Sequence, residues 1–578
     1  MRCLPLLLLL LAPNASLWAQ TTPPTALDRM RQGVQVSGTA GLSSEAYATT
    51  GNGRRPPLSG RAFTNVAVNA FGIRTGLNLL YSTEENRLQQ SLNQLGFGLQ
   101  WRWVEATVGD AYPTFSRFSL SGARVRGGVV ELSPGILRIG VATGQNQSAF
   151  DPSVDPVSPE AQLGQGVARF ERWITAVRVG LGDVQRTHFH LVGLSARDDT
   201  LSIGGRDPNV LPAENLSLTA LTGLSLFKRR FSISGEGTIS AFNRDLFAEK
   251  IDTDELLDPD STALPAQALP IARFVLQQFT PTTSSSVSYA VRGQSRLRLK
   301  WLTLSGQYTR VGPGFSSLGL YTVRNDYAEW RVQPAVRMLG GRFTVSGDVS
   351  DWQNNLSAQR RTTQVRQRQG LNVRYQPATW LALTARVQQG ETTTRTLGQT
   401  TAPRQHVTQN LTFSPVITLR RGTRIHSISL NTSLQRFANR GAENGPSLDY
   451  DTINGGLTWF GNLTNRLDAN VATNLLLNST ANGDNTVLGF NGGLTQSWRE
   501  RTLSLGFTTG TTRSVQSSSL TGSTTTLTQL NTTLNGQWRL TRTDQLRLSV
   551  SGAVNTSDQP GFTAFREVRA QLSYRRRF

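Results

Sequence analysis

The chain has 578 residues, of which 37% are hydrophobic, 8% aromatic and 17% charged, with 59 basic against 38 acidic side chains and a net charge of +21. Lysine occurs only at Lys228, Lys250 and Lys300, so the positive charge is almost all arginine. No apolar run reaches the roughly 18 residues of a membrane-spanning helix, regularly spaced Val, Leu, Phe and Trp argue against disorder, and the single cysteine, Cys3, excludes a disulfide scaffold.

The first segment reads as an address. Arg2 gives a positive start, Leu4 to Leu11 form an apolar stretch interrupted by Pro5, and Ala15 to Ala19 offer small residues for cleavage before Gln20. This is the pattern of a secretory signal peptide over residues 1–19. Cys3 precedes the apolar stretch, so it does not sit where a lipid-acceptor cysteine would. Residues 20–32 are then a short periplasmic segment, and 33–578 a single barrel domain.

From about Gly33 onward the dominant period is two. Leu546, Leu548 and Val550 face one way while Gln545, Arg547 and Ser549 face the other; Leu503, Leu505 and Phe507 repeat this, as do Leu467, Ala469, Val471 and Leu475, and Leu381, Leu383, Ala385 and Val387. Such alternation marks strands with one apolar and one polar face. The segments run about ten to fifteen residues, longer than the usual five or six of a globular strand. That length suits a tilted strand crossing a bilayer.

Short and long connections alternate. Short ones fall at Phe227–Arg230, Leu299–Trp301, Leu339–Arg342, Pro377–Trp380, Arg420–Thr423, Gly461–Asn465, Trp498–Arg501 and Thr541–Asp544. Longer polar stretches lie between them, around 244–284, 312–325, 352–361, 391–404, 438–448, 478–484 and 515–523. Short periplasmic turns and long extracellular loops are the asymmetry of outer-membrane barrels. Trp301, Trp380, Trp459, Trp498 and Trp538 fall at or near the short-turn ends, as an interfacial aromatic girdle would.

The chain closes on Val568, Ala570, Leu572, Tyr574 and Phe578 on one face. This resembles the C-terminal signal by which bacterial outer-membrane β-barrel proteins are recognised for assembly, with Tyr574 and Phe578 as its aromatic positions; Arg576 departs from it, where an apolar residue is usual. The resemblance covers nearly the whole mature chain and is to the porin-like barrel class rather than to a particular member. It implies an integral outer-membrane protein, exported by its signal peptide, in contact with outer-membrane lipid, lipopolysaccharide and the barrel-assembly machinery.

The expected fold is therefore all-β: a transmembrane antiparallel up-and-down barrel of about 24 strands (22–26). The run from Leu95 supplies 22, residues 33–48 one, and residues 61–83 either one long strand, for a total of 24, or two, for 25; one is the reading taken. In that last segment the apolar phase changes from Val66 and Val68 to Ile73, Leu77 and Leu79, which a β-bulge near Phe71-Gly72 would explain. An even total agrees with single-chain bacterial barrels.

So wide a barrel needs something in its lumen, and too few residues precede the first strand for an N-terminal plug. The expected constriction is the loop from Arg244 to Ser284, with its acidic run Asp252, Asp254, Glu255, Asp258 and Asp260 and a short helix after Pro270. By parity with outward Val287, Tyr289 and Val291, Arg292, Arg296 and Arg298 face inward; the same argument places Arg366, Arg368, Arg374 and Arg386 on the inner wall. Guanidinium groups in a confined aqueous space favour anions.

Other chemistry is poorly supported. The arginines are dispersed over many strands, not gathered in a nucleic-acid module. His188 and His190 share a strand face but lack a third ligand in a known spacing, and the acidic run lacks the glycine and terminal Glu of an EF-hand loop. No phosphate-binding glycine motif or catalytic constellation is legible, so no cofactor, metal or enzymatic activity is expected. The leading reading is a porin-like passive channel with a basic lumen. The alternative is a barrel scaffold, or a secretion or assembly component, whose lumen is filled by a partner protein; stretches at Val108–Pro113 and Ser121–Val129 look loosely similar to strands of very large secretion-system barrels. A third reading, a soluble β-rich adhesin, would need a second sheet to cover each apolar face.

Overall fold

The computed structural model describes residues 33–51, 55–83, 93–151, 168–204, 209–252, 277–398, 403–440, 449–498 and 502–578. The signal-peptide and periplasmic assignments at 1–32 lie outside the described residues. Strands form where β-branched and apolar residues alternate with Ser, Thr, Asn, Gln and Arg, because each pleated segment then presents one face to lipid and one to water.

There are 26 strands. The first group is β1 (Val34–Thr49), β2 (Leu58–Ala70), β3 (Ile73–Ser82), β4 (Gln94–Trp101), β5 (Val104–Ala111), β6 (Val125–Leu132), β7 (Leu137–Gln147) and β8 (Glu171–Gly182). Next come β9 (His188–Asp199), β10 (Glu214–Leu226), β11 (Phe231–Asn243), β12 (Ser285–Arg298), β13 (Leu302–Val311), β14 (Tyr327–Met338), β15 (Phe343–Asn354) and β16 (Thr362–Ala378). The series ends with β17 (Leu381–Thr396), β18 (Arg404–Arg421), β19 (Arg424–Arg440), β20 (Tyr450–Asn462), β21 (Leu467–Thr480), β22 (Gly483–Trp498), β23 (Leu503–Ser518), β24 (Thr524–Arg539), β25 (Asp544–Ser557) and β26 (Phe565–Arg577).

Every strand pairs antiparallel with its sequence neighbours, and β1 pairs with β26 from Thr39↔Arg577 to Thr49↔Glu567, which closes the barrel. Gly38 and Phe578 extend that seam by exchanging backbone hydrogen bonds of 3.0 and 3.3 Å. Closure leaves no unpaired edge, the condition for a sheet in lipid.

The total corrects the expected 24. Residues 58–82 form two strands, not one bulged strand: Phe71 and Gly72 both have positive φ, 54° and 78°, and Ala70 pairs with Ile73 across them. That is a two-residue hairpin turn of the primed type, in which glycine at the second position relieves the left-handed strain. The stretch from Gln94 onward supplies 23 strands rather than 22.

Short connections follow the even-numbered strands and most longer ones the odd-numbered strands, so both chain ends of the barrel lie at the short-turn end. The expected long stretch at 478–484 is instead a tight turn at Ala481-Asn482. The wall is uneven: β4, β5 and β6 have 8 residues each, whereas β16 has 17 and β18 has 18. The tall side exceeds the nine to eleven residues needed to cross hydrocarbon and stands above it.

Candidate functional site: the barrel lumen

The two faces of each strand are distinguished by exposure. On β8, Trp173, Val177, Val179 and Leu181 are exposed, while Ile174, Ala176 and Arg178 are buried. Exposed apolar rows continue around the barrel through residues such as Leu218, Val287, Leu371, Leu488 and Leu572. A band of this extent belongs against lipid. The opposite face is therefore the lumen.

The buried groups show how the lumen is filled. Connection 112–124, between β5 and β6, and connection 312–326, between β13 and β14, fold against the inner wall. Phe115, Leu120 and Ala123 pack on the inward faces of β6 to β9, against Val125, Val129, Ala142, Ile174, Ala176, Val192, Leu194 and Ala196, with Leu318 joining from the second connection. Phe118 and Phe315 meet edge to face, ring centroids 6.1 Å apart, over Ala290 and Val311. An inner wall touching only water would not carry this apolar surface.

Polar bonds fix the two connections as one body. Ser116 Oγ donates to Glu236 Oε1 on β11 (2.7 Å), and the Phe118 N–H donates to the same oxygen (3.3 Å). Ser317 Oγ donates to the Ser119 carbonyl (2.8 Å), the Ser121 N–H to the Gly319 carbonyl (3.4 Å), and the Arg124 N–H to Tyr321 Oη (3.0 Å). Ser240 Oγ donates to the Ser316 carbonyl (2.6 Å), tying the second connection to β11. At the base of the first connection Arg124 Nε pairs with Asp110 Oδ1 at 2.8 Å. Burial works against the Arg124 charge, yet the Asp110 hydrogen bond and charge raise its pKa above the ordinary guanidinium value, so this clasp stays ionised.

At the edge of that body guanidinium groups gather. Arg324 from the second connection and Arg366 from β16 each place the guanidinium carbon 4.8 Å from the ring centroid of Trp352. Trp352 is buried, opposite Arg366 in the sheet, and its indole N–H has no hydrogen-bond partner. Arg368 lies beside Arg366, opposite Ser350, and the charges of Arg324 and Arg368 both act on Arg366. The charge of Arg117, from the first connection, acts on Arg292, partly offset by Glu236 and Glu329. None of Arg117, Arg292, Arg324, Arg366 and Arg368 has a carboxylate partner in an ion pair among the described residues.

The expected residues fall as follows. Arg292, Arg296 and Arg298 share the β12 face of buried Ser288 and Ala290, and Arg292 donates to Gln307 (2.7 Å). Arg374 lies opposite Thr344 and Arg386 opposite Asn372. Arg292 and Arg366 meet the in-folded body, whereas among the described residues no bond or ring contact ties Arg296, Arg298, Arg374 or Arg386 to it. Of the acidic run in the expected constriction loop only Asp252 is described, and it is exposed. Asp254, Glu255, Asp258 and Asp260 lie outside the described residues, as does most of the helix expected after Pro270, of which Gln277 and Gln278 are described and helical. The flanks of that loop stay at the barrel mouth, where Thr282 Oγ1 donates to Asn243 Oδ1 (2.7 Å) and the Thr280 N–H to Glu214 Oε2 (3.0 Å). The lumen-filling connections 112–124 and 312–326 were not anticipated. Their signal was present in Phe115, Phe118, Leu120, Phe315, Leu318 and Leu320, apolar residues inside connections that water alone would not favour.

Trp301, Trp380, Trp498 and Trp538 are exposed at the short-turn end; Leu503 pairs with Trp498 on one side and Trp538 on the other. Trp459 is half-buried and stacks on His426, with centroids 6.1 Å apart. At the C-terminus Tyr574 Oη donates to Asp544 Oδ1 (2.6 Å), and Arg576 lies 3.7 Å from the same carboxylate. The departure at Arg576 thus has a counter-charge on the neighbouring strand. His188 and His190, rings 5.2 Å apart, bond to the carbonyls of Arg186 and Gly182.

A scan of family models and a search of curated proteins found no match. Among solved structures, the chain is similar to OccAB3 of Acinetobacter baumannii, with 10% identity, TM-score 0.30, and coverage of 70% of this chain and 99% of that one. It is also similar to the outer-membrane protein OpdK of Pseudomonas aeruginosa (12% identity, TM-score 0.29, 64% and 94% covered). OccK2 (OpdF) of P. aeruginosa, solved with glucuronate, matches over 95% of this chain and 99% of its own at 9% identity and TM-score 0.30. At these values the likeness carries no argument; closure through β1 and β26 and the apolar outer band make this chain a closed antiparallel barrel with a lipid-facing outer surface.

Proposed function

We propose that the protein is a passive outer-membrane channel whose lumen favours anions. The observation that carries this reading is the guanidinium cluster Arg117, Arg292, Arg324, Arg366 and Arg368, gathered where the in-folded connections meet the wall, none of them in an ion pair among the described residues. Like charges held together in a confined space draw anions and repel cations. The remaining path runs past β14 to β26, whose inward rows are rich in Arg, Ser, Thr, Asn and Gln. Export by residues 1–19, assembly through Tyr574 and Phe578, and anchoring by the tryptophans at the short-turn end complete the reading, which assigns no enzymatic role.

The test is planar-bilayer conductance of the detergent-folded protein, with reversal potentials in a KCl gradient. The expected result is steady conductance that favours Cl⁻, reduced or reversed in an Arg366→Glu, Arg368→Glu variant. Cation preference in the unmodified protein overturns the anion reading. A folded barrel that does not conduct overturns the channel and transfers the case to a scaffold or secretion component with a partner in its lumen.

A further inference from the structure

Ion pairs occur at both ends of the barrel: Arg124 with Asp110, Arg172 with Asp198, Arg360 with Asp326 and Arg569 with Glu45 toward the long-connection end, and Arg178 with Glu131 and Arg576 with Asp544 toward the short-turn end. At the short-turn end, Lys228, Arg229, Lys300, Arg342, Arg421 and Arg424 are exposed and have no carboxylate in an ion pair among the described residues. Of the acids near that end, Asp544 is engaged by Tyr574 and Arg576, Glu131 by Arg178, and Asp183 by the N–H of Gln185.

Two details point to an occupant. Arg421 and Arg424 are directly opposed across the hairpin between β18 and β19, an arrangement that like charges oppose unless an anion lies between them. In addition, exposed apolar side chains sit in the same turns as the bases. Phe227 is 75% exposed next to Lys228, Leu299 and Trp301 flank Lys300, and Leu339 precedes Arg342. Phe227, Lys228 and Arg229 all hold positive φ, 51°, 56° and 66°, a left-handed run that L-residues disfavour.

We propose that the short-turn rim is a docking surface for anionic phospholipid headgroups of the leaflet it meets. Arg421 and Arg424, with Lys228, Arg229 and Lys300, take the phosphates, while Phe227, Leu299 and Trp301 enter the acyl boundary. An acidic protein would satisfy the bases but not the apolar side chains between them; a lipid satisfies both. The inference rests on the membrane placement and not on conduction.

The experiment is lipid retention by the detergent-folded full chain in native mass spectrometry, comparing phosphatidylglycerol with phosphatidylcholine. The expected result is several phosphatidylglycerols retained in preference to phosphatidylcholine, and fewer at high salt. In a variant carrying Lys228→Gln, Arg229→Gln, Lys300→Gln, Arg421→Gln and Arg424→Gln, affinity falls by about fivefold per cation removed. A Phe227→Ser, Trp301→Ser variant also loses phosphatidylglycerol. Equal retention of the two lipids by the unmodified protein overturns the proposal without reference to any variant. So does polyglutamate binding as tightly as phosphatidylglycerol and indifferent to Phe227 and Trp301, which identifies an acidic protein surface as the partner. Inorganic phosphate displacing the lipid at equal concentration reduces the site to a simple oxyanion site and also overturns it.

Discussion

Phe118→Ala tests whether the in-folded connections form one body. Phe118 is 6% exposed, meets Phe315 edge to face at 6.1 Å, and lies over Ala290 and Val311. Truncating a buried phenylalanine costs about 3–5 kcal/mol, of which the edge-to-face pair supplies about 0.5–1.5. The barrel ladders are untouched, so the loss falls on local opening of 112–124 and 312–326. A local loss of about 3 kcal/mol raises amide exchange there on the order of a hundredfold. Hydrogen exchange read by mass spectrometry on the folded barrel is the assay, and single-channel conductance the second readout, expected to rise as the constriction loosens. The partner segment is decisive. If residues 315–318 keep full protection when Phe118 is lost, and conductance is unchanged, the connections are separate excursions and the argument fails.

Gly319→Val acts on the same body from the other side, since a Cβ there would lie 2.2 Å from the Ser119 carbonyl oxygen and 2.6 Å from Leu194 Cδ1; overpacking of about 1–3 kcal/mol is expected to raise exchange in both connections. Glu236→Gln keeps the shape but removes the charge accepting from Ser116 and Phe118, and should loosen the first connection by about 1 kcal/mol, measured in the same way. Tyr574→Phe deletes the 2.6 Å bond to Asp544 near the β1–β26 seam; a loss of about 1 kcal/mol is expected as a lower urea midpoint of the folded barrel, with conductance unchanged.

The strands were legible because a lipid face and a water face impose period two, and wherever the inner wall meets water the parity of the sequence is the parity of the barrel. This holds for β16, where Arg366, Arg368 and Arg374 alternate with Val365, Leu371 and Val373. It weakens where the inner wall meets protein: on β8 inward Ile174 and Ala176 are as apolar as outward Val177 and Val179, so neither face is marked. The hairpin at Phe71-Gly72 was misread for a related reason. A two-residue turn sets Ala70 and Ile73 on one face, so the apolar phase shifts from even to odd numbers just as a bulge would shift it. The acidic run at 252–260 drew attention by charge, but charge does not show what a loop packs against. The connections that do enter the lumen are held by Phe115, Phe118 and Phe315, whose partners are up to about two hundred residues distant in sequence and known only from the fold.

The two-sided apolar character of β6 to β9 and the in-folded connections are one fact seen from two directions. Small and apolar inward residues such as Ala142, Ala176, Ala196 and Val192 would be costly facing water, and Phe115, Leu120 and Ala123 would be costly in an exposed loop; each surface removes the other from solvent. The sector so filled is braced by the buried Thr219–Thr238 and Asn215–Ser240 bonds on its far side. The β16 to β26 wall has no comparable apolar cluster among the described residues, and its inward side chains are mostly half-buried or exposed. A barrel of 26 strands is thereby divided into a packed sector and a polar one, and Arg324, Trp352 and Arg366 stand on the boundary. Since Arg324 belongs to the in-folded body and Arg366 to the wall, the geometry of their cluster depends on the packing of Phe118 and Phe315. The Phe118→Ala variant is therefore expected to lose ion selectivity as it gains conductance; a variant that conducts more yet keeps its full selectivity would place the selective charges elsewhere on the wall.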